Sequence, residues 1–236
     1  MTFAHNVISF YQGLNYSGPL PAGIGMMNPF RENDEVAGVV NEFYNRFYND
    51  NHPRKLILGI NPGRFGAGVT GIPFTDTIRL NEKCGIRFDR FRTYELSSSF
   101  IYEMIEAYGG VKQFCGQFFV SAVCPLGFTR VNAKGKEVNC NYYDDPALIK
   151  MIYRFIAESL ERQIQLGIDT SSCVCLGTGK NDAFLRKMNA EQHFFENIMT
   201  LEHPRFIMQY RAKRKEEYIR KYVEALNSVT PCIPSQ

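Results

Sequence analysis

Four short runs along the chain carry apolar, branched and aromatic residues without the polar alternation of a half-exposed strand: Lys55–Ile60, Gln117–Val123, Ser172–Leu176 and Asn197–Leu201. Runs of this kind read as strands covered on both faces, the setting of a parallel sheet. Helical spacing separates them. Val36, Val39, Val40, Phe43 and Phe47 share one face, and Phe100, Ile101, Met104, Ile105 and Tyr108 form a second stripe stopped by Gly109-Gly110. Leu148, Ile149, Ile152, Phe155, Ile156 and Leu160 form a third after the caps Asp144 and Asp145 and Pro146; Tyr218, Ile219, Tyr222, Val223 and Leu226 form the last. Alternating strands and helices predict an α/β fold, a three-layer α/β/α sandwich around a central, mainly parallel four-stranded sheet. Ligands of such folds bind beyond the carboxyl ends of the strands, so the loops after the four runs are where chemistry is sought.

Composition narrows the picture. The chain has 236 residues, enough for one well-buried domain, so residues 1–236 read as a single unit with a short tail after about residue 227. A net charge of +3 is compatible with nucleic acid without requiring it. Seven cysteines, at 84, 115, 124, 140, 173, 175 and 232, show no Cys-x-x-Cys or Cys/His ligand spacing. Neither a disulfide framework nor a zinc or iron–sulfur site is expected, no cofactor or metal is implied, and a reducing cytoplasm fits. No apolar run is long enough to cross a bilayer and no basic leader precedes one, so a cytoplasmic monomer is the expectation.

The first strand runs into Gly59-Ile60-Asn61-Pro62-Gly63-Arg64-Phe65-Gly66-Ala67-Gly68-Val69-Thr70-Gly71-Ile72-Pro73-Phe74. A carboxamide at a strand end can orient a water through both its oxygen and its NH2 group, and glycines let the main chain approach a ligand. The same residues also suit an ordinary strand-to-helix turn with an Asn cap. Neither the Walker A spacing nor Gly-x-Gly-x-x-Gly in its usual place is present. The stretch Gly-x-Asn-Pro-Gly-x-Phe-Gly followed by Thr-Gly-x-Pro-Phe resembles the first motif of the single-strand-selective monofunctional uracil-DNA glycosylases, within the uracil-DNA glycosylase superfamily. The similarity extends upstream through Leu20–Ile24 and Asn28-Pro29 and downstream to the last helix.

That resemblance implies a DNA glycosylase in which Asn61 positions the attacking water, Ile60 and the Gly63 region line the flipped base, and Phe74 stacks on it. On physical grounds alone Phe74 is equally a core aromatic. The fourth strand leads into Glu202-His203-Pro204-Arg205-Phe206-Ile207, where a His before Pro is commonly a turn residue. In the resembling family a His-Pro here begins the second motif, and His203 would donate to the base oxygen that gains charge as the glycosidic bond breaks. Arg205, Phe206 and Ile207 are candidates for a wedge that holds DNA open. Arg211, Lys213, Arg214 and Lys215 read as the opening of the final helix and as phosphate contacts, or as a solvated face.

Two positions depart from the resemblance. The second strand ends in Ser121-Ala122-Val123-Cys124-Pro125-Leu126, with Ala122 where the family carries a base-reading Asn. Ala67 stands where related enzymes have a larger Met. Ser121, or Asn139 or Asn141 from the polar loop Asn132–Asp145, is expected to take over the reading, with a broader base range that includes deaminated purines. Gly177-Thr178-Gly179-Lys180-Asn181 is too short for a phosphate loop and reads as a helix start, and Cys173 and Cys175 read as core. A non-catalytic nucleic-acid binder and a hydrolase of free nucleosides or nucleotides are the competing functions.

Overall fold

The computed structural model describes residues 1–230. Helix α1 (Phe3–Gln12) starts at Thr2, whose hydroxyl accepts from the His5 N–H. Strand β1 (Ile24–Met27), α2 (Pro29–Glu32) and α3 (Asp34–Phe47) follow. The predicted stripe from Val36 to Phe43 is the buried face of α3. Strand β2 (Arg54–Gly59) is buried at all six positions. Four helices come next: α4 (Ala67–Thr70), α5 (Thr77–Cys84), α6 (Leu96–Tyr108) and α7 (Val111–Gln117). Gly109 ends α6 at a φ of 121°, which favours glycine, as the sequence requires. The chain continues through β3 (Phe118–Ala122), β4 (Gly127–Val131), β5 (Glu137–Cys140), α8 (Pro146–Ile164), β6 (Ile168–Leu176), α9 (Lys180–Gln192), β7 (Ile198–Leu201), α10 (Pro204–Tyr210) and α11 (Lys215–Val229).

The four predicted strands form one sheet in the order β3-β2-β6-β7, with every pair parallel. Helices flank it: α6 packs with α10 and α11, α8 and α9 lie against β6, and α1 packs on α3. The expected α/β sandwich is therefore what the chain builds. Boundaries shift where one residue type serves two elements. Gln117 closes α7 rather than opening β3, and β6 starts four positions before Ser172, at the half-buried Ile168. The Asp145 carboxylate caps α8 by accepting from the Ala147 and Leu148 N–H groups, whereas Asp144 accepts from the Asn141 N–H instead.

The hydrophobic pattern does not reveal a second sheet. Strands β1, β4 and β5 pair antiparallel in the order β1-β4-β5. The predicted polar loop Asn132–Asp145 is in fact a hairpin turn, strand β5 and a short connection. Asn132 shapes the turn by accepting from the Lys134 and Lys136 N–H groups, and Gly135 takes a φ of 71°. The strand stayed hidden because Glu137 is exposed and Val138 and Asn139 only half-buried, so no apolar run marks it.

The basic run after residue 210 also differs from expectation. Arg211 follows α10, a 3-10 turn covers Ala212–Arg214, and of the four cations only Lys215 lies in α11. The first turn of α11 carries Glu216 and Glu217, which suit its amino-terminal dipole. Arg214 is paired with Glu217 at 2.8 Å and Lys215 with Glu103. Helix α11 reaches Val229, two residues beyond the expected start of the tail, while Cys232 lies outside the described residues. The other six cysteines are buried free thiols, with Cys173 and Cys175 in the core as expected. Among the described residues no helix is long and apolar enough to cross a membrane, and no His/Cys/Asp/Glu cluster can hold a metal ion.

Candidate active site

A cavity of about 350 Å³ opens at the carboxyl ends of β2, β3 and β7. It gathers Ile60, Asn61, Gly63, Phe74, Ser121, His203, Arg205 and Phe206 from the sequence-derived set, together with Ala67, Ala122, Asn139 and Asn141. Residues as far apart in the chain as Ile60 and Phe206 thus meet where the topology of an open parallel sheet places ligands. Arg211 and Lys213 do not line it.

Asn61 is immobilised by the second sheet. Its Oδ1 accepts from the Tyr142 N–H at 3.0 Å, and its Nδ2 donates to the Cys140 carbonyl at 3.3 Å. A backbone N–H must face the oxygen and a backbone carbonyl the nitrogen, so these partners fix which way the amide points. One lone pair of Oδ1 stays available to a water. Tyr142 is itself fully buried, and its hydroxyl donates to Asn181 Oδ1 at 2.8 Å. Asn181 Nδ2 in turn donates to the Leu176 carbonyl at 3.1 Å. The Gly177–Asn181 segment begins α9 as expected, but Asn181 also ties that helix to the residue that holds Asn61.

His203 is held locally. It caps α10, and its Nδ1 accepts from the Arg205 N–H at 3.1 Å. That bond places the proton of the neutral ring on Nε2 and leaves Nε2–H as a free donor. Burial, helped by the nearby Arg205 charge, pushes the imidazole pKa down to about 4. His203 is therefore neutral at physiological pH.

Phe74 lies in the cavity wall rather than the core. Its ring edge presses on Gly59, where an added Cβ would meet Cε2 and Cζ at 2.8 Å. Its ring centroid is 5.7 Å from that of His203. Its φ of 52° is uncommon for an aromatic residue, a local strain of the kind found at ligand sites. The Thr70 hydroxyl, donating to the Thr75 carbonyl at 2.6 Å, braces this turn.

The cavity floor holds two unsatisfied hydroxyls. Ser121 Oγ and Tyr11 Oη are buried without a hydrogen-bond partner among the described residues. Burial raises the Tyr11 pKa and outweighs the Ser121 and Tyr44 hydroxyls, which lie close enough to pull it down without forming a bond of normal length, so the phenol stays protonated. Orphan polar atoms in a cavity mark where a ligand's polar atoms fit. Ala122 shares the wall and offers only a methyl group. Sequence reasoning missed Tyr11 and Phe30 from α1 and α2, Glu95 just ahead of α6, and Gln209 from α10, the helix that His203 caps.

The expected wedge segment is helical, not a loop. Ile207 is fully buried beneath α10 and cannot intercalate, whereas Phe206 is 41% exposed at the cavity mouth. Phe206 packs against Tyr210 at 5.4 Å, and the Arg211 guanidinium lies 5.6 Å from its ring centre.

The family model described as the Uracil DNA glycosylase superfamily matches residues 46–227. The chain belongs to that superfamily. The matched span includes the loop after β2, the Ser121–Ala122 strand end and the His203 helix start. A comparison with curated proteins returned no match. Among solved structures, Pedobacter heparinus SMUG2 superposes with a TM-score of 0.95 at 54% sequence identity, covering 97% of this chain and 98% of that one. The two folds thus agree over nearly the full length of this superfamily chain.

Proposed function

We propose that this protein is a monofunctional DNA glycosylase that hydrolyses the N-glycosidic bond of uracil or another deaminated base, as the first step of base-excision repair. The observation that carries the reading is the meeting of an immobilised carboxamide, Asn61, with a neutral imidazole whose Nε2–H is free, His203, in one cavity. The reaction needs both. As the bond from C1′ to the base breaks, negative charge grows on the base and positive charge on the sugar. A fixed donor such as His203 Nε2–H stabilises the departing base most where water is excluded, and a neutral donor avoids the desolvation of a buried cation. Asn61 holds water on the sugar with its remaining Oδ1 lone pair.

The base enters the cavity by flipping out of the stack. Ile60 and Gly63 line it and Phe74 offers a ring face to stack on. Ser121 and Tyr11 read the edge that the absent Asn would have read. A hydroxyl both donates and accepts, whereas a carboxamide presents a fixed pair of groups. With Ala122 and Ala67 in the wall, the site discriminates less by hydrogen bonding and admits hypoxanthine and xanthine besides uracil. Phe206 and Arg205 at the mouth contact the opened strand, and Arg211 and Lys213 contact phosphates.

The test is an oligonucleotide panel carrying uracil, hypoxanthine or xanthine, single-stranded and duplex, with abasic sites cleaved by alkali. Alkali-dependent cuts with uracil and at least one deaminated purine are expected. Binding without cuts would replace this reading with a non-catalytic binder, and activity on free nucleosides alone with a nucleoside hydrolase.

A further inference from the structure

Among the described residues Glu95 is the only carboxylate that lines the cavity. It precedes α6, and its N–H donates to Asp76 Oδ2 at 2.8 Å, but its own side chain makes no capping bond. Among the described residues neither carboxylate oxygen has a hydrogen-bond or ion-pair partner. Instead the group lies against the loop that follows Asn61. A Cβ on Gly63 would come within 2.7 Å of Oε1, and one on Gly66 would collide with Oε2. The side chain thus fills space that only glycines leave open, and Asn139 Nδ2 lies on the same side of Gly63, 3.6 Å from that Cβ position.

The Glu95 side chain is half-buried and unpaired among the described residues, and the surroundings only partly compensate for its lost solvation. Arg205 from α10 favours the ionised form, and Asp76, ahead of α5, opposes it. Asp76 is itself paired with Arg79 at 3.2 Å, and Arg64 is turned away to Glu137. Burial dominates, and the Glu95 pKa rises to about 7. A group of that proton affinity takes and returns protons efficiently near neutral pH.

We propose that Glu95 is the catalytic base that accepts the proton of the water positioned by Asn61. The proposal rests on the glycosylase reading above and supplies what that reading lacks. An amide is not a base, and the only unprotonated nitrogen of His203 is occupied by the Arg205 N–H. In the step, the C1′–N bond breaks with its electron pair leaving on the base, whose oxygen accepts from His203 Nε2–H. The water oxygen bonds to C1′, and its released proton goes to a Glu95 carboxylate oxygen. The products are an abasic sugar and the base anion, which then takes up a proton from Glu95 or from solvent. A Glu95 that lines the cavity without protein partners is one held for a ligand.

The experiment is single-turnover cleavage of a uracil-containing oligonucleotide from pH 5 to 9 by the wild type, Glu95→Gln and Glu95→Asp. The wild-type rate should rise with pH and level off above about 7, because only the ionised carboxylate accepts a proton. Glu95→Gln should lose about 100-fold at the plateau and show no such rise. Its affinity for an uncleavable 2′-fluoro-deoxyuridine oligonucleotide should not weaken. Glu95→Asp keeps a carboxylate and should recover part of the lost rate, which separates loss of the base from loss of the fold. A Gln variant with the wild-type rate and pH profile, a loss of affinity in place of rate, or an Asp variant as slow as Gln would each overturn the proposal. If the wild type itself releases no base, the glycosylase reading falls and this one with it. If the wild type cuts and Glu95→Gln cuts equally well, only the role of Glu95 falls.

Discussion

Asn61 and His203 meet in one cavity but are held there in opposite ways. Asn61 is gripped by backbone groups 79 and 81 positions away, at the exit of the antiparallel sheet. His203 is gripped by its own helix, through an N–H two positions on. One arrangement depends on two sheets meeting correctly, and the other on a single helix start. The difference predicts that the water-holding half of the site is vulnerable at a distance, whereas the base-stabilising half is vulnerable only nearby.

The largest expected effect tests the remote hold. Replacing Gly127 of β4 with Val places side-chain atoms where a Cβ already meets the Pro62 carbonyl at 2.7 Å, so the Asn61 loop must shift. A displacement of about 1 Å can cost about 100-fold in rate, and single-turnover cleavage by Gly127→Val should fall by that order while the DNA affinity changes little. A wild-type rate in this variant would break the contrast. The Tyr142→Phe variant comes next. It leaves Asn181 Oδ1 buried without its donor, which costs about 1–3 kcal/mol of stability, read by urea unfolding. The rate should drop by roughly tenfold as Asn61 loosens, since each 1.4 kcal/mol at the barrier is about a factor of 10.

His203 offers a sharper local test. NMR titration of its ring should give a pKa near 4, with the neutral ring above that pH carrying its proton on Nε2, so His203 adds no limb to the rate profile between pH 5 and 8. The unfolded chain takes up that proton near pH 6.5, the usual histidine value. Stability from the neutral buried ring is thus complete above that pH and is lost as pH falls towards about 4. A ring that titrates near 6.5 would remove the neutral-donor argument. The smallest effect concerns Arg211 and Lys213, which have no acidic partner within 4 Å among the described residues. Changing either to Ala should weaken DNA binding uniformly across sequences and lower the salt-dependence slope by about 1.

The same contrast explains what could be read from the amino acids. The parallel sheet was legible because β2, β3 and the last four positions of β6 are buried apolar runs and β7, though only Leu201 of it is buried, carries Ile198, Met199 and Leu201, and the site loops follow from their ends. His203 and Asn61 were legible through motif resemblance, each beside a strand end. The antiparallel sheet was not, because half-exposed strands of four or five residues such as β1 and β5 leave weak periodicity. Its role in clamping Asn61 depends on backbone groups of Cys140 and Tyr142, which no side-chain pattern records. Ile207 failed as a wedge because the segment coils into α10 and turns that residue inward. Tyr11 and Glu95 were invisible because nothing in a helical stripe says which neighbour faces a cavity.

The most direct test of the central claim is to measure free uracil and alkali-labile strand together, using one uracil-containing oligonucleotide with the wild type and with Asn61→Ala, His203→Ala and the double variant. The wild type should release one free uracil per abasic site and leave the strand intact before alkali. Each single variant should be slower by about 10²–10³-fold, and the double variant slower still. A wild type that leaves uracil in place, or a double variant as fast as the wild type, would contradict it.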